Sequence, residues 1–393
     1  MAPDSPVIHD LLDEAAARIP DAVALVDDDY EITFSDWRRV SLHLAKSLQS
    51  MGVHKGDIVG AYLGKTLLLP CLFTAVSRLG AQFMALVPGW PEQTYSRTFG
   101  RWPRRFVVVE SDRCRDVYCD TEWSSLTRAS VLDGSETPYS LPEVSPEDVV
   151  YLNITSASTG QPKVASTTHR HLIANTRGVC EALEMAADDV HMSLFGVIGH
   201  PHELFARGLF LGGKTVLTES PYPRSVIQRV SAQRVTALMG LPPQLEGISR
   251  LYRRADADLS SLRFAEAGGM HFSQLLCERF QERTGVPIRS VWGSTETSGV
   301  VLIGDPGRTG FDRVVPGYEV EIRKTEEVVA GSEHGVSPET GELWVSGEGV
   351  VAGYHGDRAE TAESFREGWY RTGDIFKREG GRLVFLGRRG GLI

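Results

Sequence analysis

A β-rich run, Val149-Val150-Tyr151-Leu152-Asn153-Ile154, leads directly into Thr155-Ser156-Ala157-Ser158-Thr159-Gly160-Gln161-Pro162-Lys163. Such a loop offers backbone N–H groups, several hydroxyls and one cation, which is the set a polyphosphate needs. The Walker A spacing is absent, and a simple turn can look the same. A second segment, Val291-Trp292-Gly293-Ser294-Thr295-Glu296-Thr297, gathers an aromatic face, hydroxyls and a carboxylate at the end of another strand-like run. A carboxylate beside a phosphate loop is a natural Mg2+ ligand. The alternative is a core Trp next to a solvated Glu. Two more segments are Gly341-Glu342-Leu343-Trp344-Val345-Ser346-Gly347 with 350–354, and Tyr370-Arg371-Thr372-Gly373-Asp374. A carboxylate held by a Thr-Gly turn can accept both hydroxyls of a ribose. Taken singly, each of these two reads as a turn.

Regular elements must position these groups. Residues 22–26 and 32–34 read as a hairpin around Asp27-Asp28-Asp29, a solvated turn rather than a metal site. Ser35 then caps a helix with Trp37, Val40, Leu44, Leu48 and Met51 on one face, and Gly52 closes it. A strand over 57–63, a mostly buried helix over 67–79 and a strand over 82–87 follow. Short runs rich in Val, Ile, Leu or Phe recur at 105–110, 149–154, 214–218, 234–239, 262–267 and 287–292, between helical stretches. This alternation predicts an α/β fold with two helix-covered, largely parallel sheets. After about residue 312, alternating runs at 318–324, 342–346 and 383–386 are separated by Gly-rich turns. They predict a small antiparallel β-barrel-like subdomain.

Composition narrows the partners. The 393 residues are 41% hydrophobic and 23% charged, so disorder and a fibre are excluded. Lys and Arg total 41 against 51 Asp and Glu, a net charge of −10 that is a poor match to nucleic acid or an acidic membrane. The most apolar stretch, 58–87, is broken by Lys65, Pro70, Arg78 and Gln82, so no membrane insertion is expected. Five scattered cysteines, Cys71, Cys114, Cys119, Cys180 and Cys277, read as free thiols. The first residues lack the basic and apolar regions of a signal peptide, and the expected location is cytoplasmic.

Together and in order, these segments resemble the adenylate-forming (AMP-binding) superfamily of acyl-CoA synthetases, luciferases and peptide-synthetase adenylation domains. Residues 32–48 with Gly52-Val53 and Gly56-Asp57 match its early "TY.EL…A..L…GV..GD" stretch, and 155–163 its phosphate loop, with Thr168-His169 behind it. Ala267-Gly268-Gly269 matches its adenine and substrate segment, and Trp292-Gly293-Ser294-Thr295-Glu296 its "YGxTE". Residues 341–354 match "GEL.v.G..v..GY", Tyr370 to Asp374 "YrTGD", and Gly387-Arg388 the "GR" before a hinge.

The resemblance implies a reaction of a small carboxylic acid with Mg-ATP, giving an acyl-adenylate and pyrophosphate. Transfer to the thiol of CoA or of a carrier protein's phosphopantetheine would follow. The attack brings two anions together, so catalysis rests on positioning and charge neutralisation. By similarity, Thr155, Ser156, Ser158, Thr159, Gly160 and Lys163 hold the β- and γ-phosphates. Thr295 contacts the α-phosphate, Glu296 binds Mg2+, and these two with Lys163 carry the catalysis. Trp292 stacks on adenine beside Gly268, Gly269 and Gly293. Asp374 accepts the ribose hydroxyls, assisted by Arg388. Two departures stand out: Ala157 for the first loop Gly, and Val164 for the Gly after the Lys. A Cβ at a left-handed position would cost roughly 1–2 kcal/mol.

In amino-acid-activating relatives, an Asp ahead of an aromatic-Glu pair binds the substrate's ammonium. Aligning that pair with His202-Glu203 puts Ile198 at the Asp, which disfavours an α-amino acid. Gly199, His202, Ala265, Ala267, Gly268, Val291, Gly299 and Val300 fill the other pocket positions, small and mostly apolar, and suit an aryl or medium-chain acyl group. His200 and His202 read as pocket wall or as donors to the substrate carboxylate rather than as metal ligands.

The resemblance further implies an N-terminal core over 1–386, with two α/β subdomains over about 1–311 and a β-rich one over 312–386. Residues 387–393 then begin a hinge to a small C-terminal lobe, absent here together with its catalytic Lys, and weak activity of this chain alone is expected. An amino-acid-activating domain and a non-catalytic ATP- or acyl-binding module remain the alternatives.

Overall fold

The computed structural model describes residues 6–86, 106–110, 122–126, 140–155, 163–324, 339–389 and 391–392. The chain divides into two compact units, the first comprising Met1–Ile173, Ala186–Ser220 and Tyr354–Gly356. The second comprises Ala174–Met185, Pro221–Gly353 and Asp357–Ile393.

The first unit contains a sheet ordered Glu122–Leu126, Phe106–Glu110, Ile58–Tyr62, Gln82–Ala85, Val149–Ile154, Val164–Thr168. Its pairs are parallel except the last, which is antiparallel. A further set in the same unit runs Val190–Ser193, Lys214–Val216, Val23–Val26, Glu31–Thr33, with the last pair an antiparallel hairpin. The helix Leu68–Arg78, expected to be mostly buried, is buried over its whole length, Thr74, Ser77 and Arg78 included. Phe34, Trp37, Phe73, Phe83, Tyr151 and Phe205 interlock in this core.

Three local expectations are corrected. The helix Phe34–Ser50 is capped by Thr33, not Ser35. Thr33 Oγ1 accepts the Asp36 N–H (3.1 Å) and Asp36 Oδ2 accepts the Thr33 N–H (3.3 Å), a reciprocal capping box. The Asp27–Asp29 turn is solvated at Asp28 and Asp29, as expected, but not at Asp27. Asp27 is buried, and its carboxylate accepts N–H bonds from Asp29, Tyr30 and Leu67, while Asp28 accepts from Thr218 and Glu219. The strand expected at 234–239 begins only at Ala237, because Arg234 takes a left-handed conformation that closes the helix Pro223–Gln233.

In the second unit, Ala237–Gly240, Phe264–Ala267 and Ile288–Ser294 pair in parallel, followed by Gly299–Ile303 and Arg313–Val314 in antiparallel fashion. A separate curled antiparallel sheet runs Tyr318–Arg323, Thr340–Gly347, Trp369–Glu379, Arg382–Arg388, Gly391–Leu392, with Phe365–Arg366 paired to Trp369–Glu379. The expected fold class is therefore observed: parallel α/β sheets and an antiparallel half-barrel. Among the described residues, no helix is long and apolar enough to cross a membrane.

Candidate active site

The proposed phosphate loop joins two antiparallel strands, Val149–Ile154 and Val164–Thr168, at the edge of the first unit's sheet. The second of these strands was not expected from the sequence, because its Ser and Thr residues mask an extended run. The loop ends clasp each other: Thr155 N–H donates to Lys163 O (2.9 Å) and Lys163 N–H to Thr155 Oγ1 (3.3 Å). Ser156, Ala157, Ser158, Thr159 and Gly160 lie outside the described residues. Val164 sits in extended strand and is buried, so its Cβ carries no left-handed penalty, contrary to the cost considered for that position. Lys163 Nζ stands over the Tyr354 ring, 5.2 Å from its centroid. The same segment is tied down by a backbone bridge between Ala165 and Tyr354 and by His355 N–H donating to Val164 O (2.7 Å). Tyr354 was legible only as part of a motif; its contact with Lys163 was not.

Also in the first unit, Ile198 and Gly199 form a turn ahead of the short helix Pro201–Leu204. The rings of His200 and His202 lie 5.7 Å apart, and His202 is 5.9 Å from Tyr151. Glu203, which the sequence offered only as an alignment anchor, is buried and ion-paired to buried Arg207 at 3.2 Å. Burial raises the Glu203 carboxyl, but Arg207, with His202 and His200, outweighs it and holds the group below the ordinary carboxylate range.

In the second unit, Ala265 and Ala267 are buried in the strand Phe264–Ala267, and Gly268-Gly269 leave its C-terminal end. Val291 and Trp292 lie in the neighbouring strand Ile288–Ser294. Gly293 sits at a register shift against Val300, where a side chain would come within 2.1 Å of Gly299 O. Thr295 and Glu296 occupy the one-turn helix Thr295–Thr297. Thr297 Oγ1 fixes that turn by accepting the Ser294 N–H (3.0 Å) and donating to Gly299 O (2.8 Å). Ser298, at φ 57°, turns the chain into the strand Gly299–Ile303. Glu296 is buried, and its carbonyl accepts the Val351 N–H (2.9 Å).

Asp374 does not sit in a turn, as the isolated motif suggested, but within the long strand Trp369–Glu379. Gly373 adopts φ 75°, and the pairing register with Thr340–Gly347 shifts around it. This bulge re-aims the next side chain. Trp292 Nε1 donates to Asp374 Oδ2 (2.9 Å), and Arg388 Nε donates to Oδ1 (2.8 Å). The Trp292 ring packs edge-on against Phe376, 5.7 Å between centroids. Burial raises the Asp374 carboxyl above its ordinary value; Arg388 and the indole N–H offset only part of this, and Glu296 adds to the rise. Trp292, Asp374, Arg388 and the field of Glu296 thus converge, joining residues that the sequence had placed in three separate motifs.

The profile of the family described as AMP-binding enzyme matches residues 12–355. The chain belongs to this family. As an AMP-binding enzyme it is similar to a feruloyl-CoA synthase of Amycolatopsis sp, 31% identical over 380 residues that cover 92% of this chain and 74% of that protein. It is also similar to an indoleacetate–CoA ligase of Aromatoleum aromaticum, 28% identical over 416 residues, covering 98% and 79% respectively. Its fold matches that of a benzoate CoA ligase from Burkholderia xenovorans LB400 with a TM-score of 0.86 at 20% identity, over 98% of this chain and 81% of that one. This AMP-binding enzyme is an adenylate-forming ligase that activates a carboxylic acid.

Proposed function

We propose that the chain converts an aryl or medium-chain carboxylic acid and Mg-ATP into an acyl-adenylate and pyrophosphate, for transfer to the thiol of CoA or a carrier protein. The observation that carries the substrate class is the character of the pocket positions. Ala265, Ala267, Val291 and Val300 are buried and apolar, Ile198 stands where an amine-binding acid would be needed, and the buried acid nearby in sequence, Glu203, is committed to Arg207. A substrate ammonium would lose its hydration without gaining a carboxylate. The aromatic acids named for the similar proteins support the same reading.

On this reading Thr155, Ser156, Ser158, Thr159, Gly160 and Lys163 take the β- and γ-phosphates, and Thr295 the α-phosphate. Asp374 and Arg388 take the ribose, and Trp292 lies against adenine with Gly268, Gly269 and Gly293. The donor set suits Mg2+, which keeps waters and substrate phosphates and needs only one or two protein carboxylates; Glu296 would hold it. When bound, that ion neutralises phosphate charge. Lys163 and the loop N–H groups share this work, so that the acid's carboxylate can approach the α-phosphorus. The buried thiols of Cys71 and Cys277 support a reducing, cytoplasmic location.

The test is substrate-dependent ATP–pyrophosphate exchange over a panel of aryl, medium-chain and α-amino acids. Exchange with aryl or acyl acids is expected. Exchange with α-amino acids alone would overturn the substrate class. No exchange at all, with nucleotide binding still weakened by Asp374→Ala, would identify a non-catalytic binding module instead.

A further inference from the structure

The Trp292–Asp374 hydrogen bond carries a role that neither residue's motif assigns. Both residues are buried, at 9% and 7% exposure, so water competes little for the bond and the charged acceptor strengthens it. The donor depends on the residue type. The family's Tyr at this position has no ring N–H, whereas an indole carries one on its edge, here 2.9 Å from Asp374 Oδ2. The indole is itself immobilised by its edge-on contact with Phe376, a residue of the same strand as Asp374.

Carboxylate stoichiometry gives this bond a function. An ionised carboxylate accepts about four hydrogen bonds, two on each oxygen. Arg388 occupies one position on Oδ1 and Trp292 one on Oδ2, which leaves one acceptor position per oxygen. Two vicinal hydroxyls require that distribution. With one donor on each oxygen, rotation about the Asp374 side chain is arrested and the carboxylate plane is fixed before the nucleotide arrives.

We propose that Trp292, through its ring N–H, is a positioning residue that presets Asp374 to recognise the ribose diol. The inference rests on the reading of Asp374 as the ribose ligand.

The test is calorimetric titration with ATP and with 2′,3′-dideoxy-ATP, which lacks both hydroxyls. It uses the wild-type protein, Trp292→Phe, and a variant carrying benzothienylalanine at position 292. The last keeps the bicyclic shape and removes only the N–H, so it reports even if the Phe variant folds poorly. Wild type is expected to prefer ATP, and both variants to lose about tenfold of that preference. Lost packing or adenine stacking would weaken both nucleotides alike, leave the ratio unchanged and overturn the positioning role. A wild-type protein that binds the two nucleotides equally would remove the ribose reading of Asp374, and the inference with it.

Discussion

The buried carboxylate of Glu342 accepts the backbone N–H of Gly373 (3.1 Å) and the Nε of Arg371 on both oxygens (3.0 and 2.9 Å). One side chain from the Gly341-Glu342-Leu343 segment therefore holds the strand bulge that delivers Asp374. Thr372 completes the support, its Oγ1 donating to Leu343 O (2.8 Å) and accepting the Asp374 N–H (3.0 Å). What the sequence presents as two motifs is one mechanical unit.

Glu342→Ala should leave Arg371 without its partner and Gly373 N–H without an acceptor. We expect a loss of about 2–4 kcal/mol in urea unfolding, together with weaker ATP binding. Glu342→Gln keeps an acceptor for Gly373 and should fall between wild type and the Ala variant. An Ala variant that binds ATP normally would show that the bulge holds itself.

The Tyr354 ring bears on the Lys163 ammonium. A cation–π contact of about 0.5–2 kcal/mol corresponds to roughly a twofold to thirtyfold change in affinity. Tyr354→Leu should therefore weaken ATP while leaving AMP, which lacks the β- and γ-phosphates, unaffected. Tyr354→Phe should behave as wild type. Parallel titrations with the two nucleotides check this.

Asp374 is held in a state that opposes folding. Its folded-state pKa is raised by burial, so the stability associated with this group is present below the unfolded carboxylate value and is lost as pH rises through the folded one. At neutral pH the ionised group thus costs stability. Asp374→Asn should resist urea at least as well as wild type at pH 7 while binding ATP at least about tenfold more weakly. A variant that is both unstable and weakly binding would contradict this trade-off.

Acid lability should originate elsewhere. His9 is pushed down to about 4 by burial and by Arg78, and His169 to about 3 by burial and by His9. Both fold as neutral rings, with His169 Nδ1 accepting the Ile8 N–H (3.2 Å) and His9 Nδ1 hydrogen-bonded to Ser77 Oγ (2.8 Å). Their contribution is complete above the unfolded value of about 6.5 and is lost as pH falls toward 4 and 3. Between pH 7 and pH 5 the loss should be on the order of 1–2 kcal/mol for each ring. Urea midpoints across this range should fall in wild type and fall less steeply in His169→Gln.

The amino-acid sequence by itself determined many of the regular elements and their order, though not the strand Val164–Thr168. The apolar face of Phe34–Ser50, the largely apolar Leu68–Arg78 run and the Val- and Ile-rich strands are local patterns, fixed by periodicity and burial. The ordered motifs also determined the family. Tertiary structure decided how those residues act on one another. Trp292 meets Asp374 across 82 positions, and Glu342 meets Gly373 across 31. Neither distance nor donor geometry is encoded in local propensity. A hydrogen bond between distant residues depends on sheet register and on bulges, and these are set by the packing of whole strands. For the same reason Asp27 proved a buried acceptor within an otherwise solvated turn, and Thr372-Gly373-Asp374 a strand bulge rather than an isolated turn.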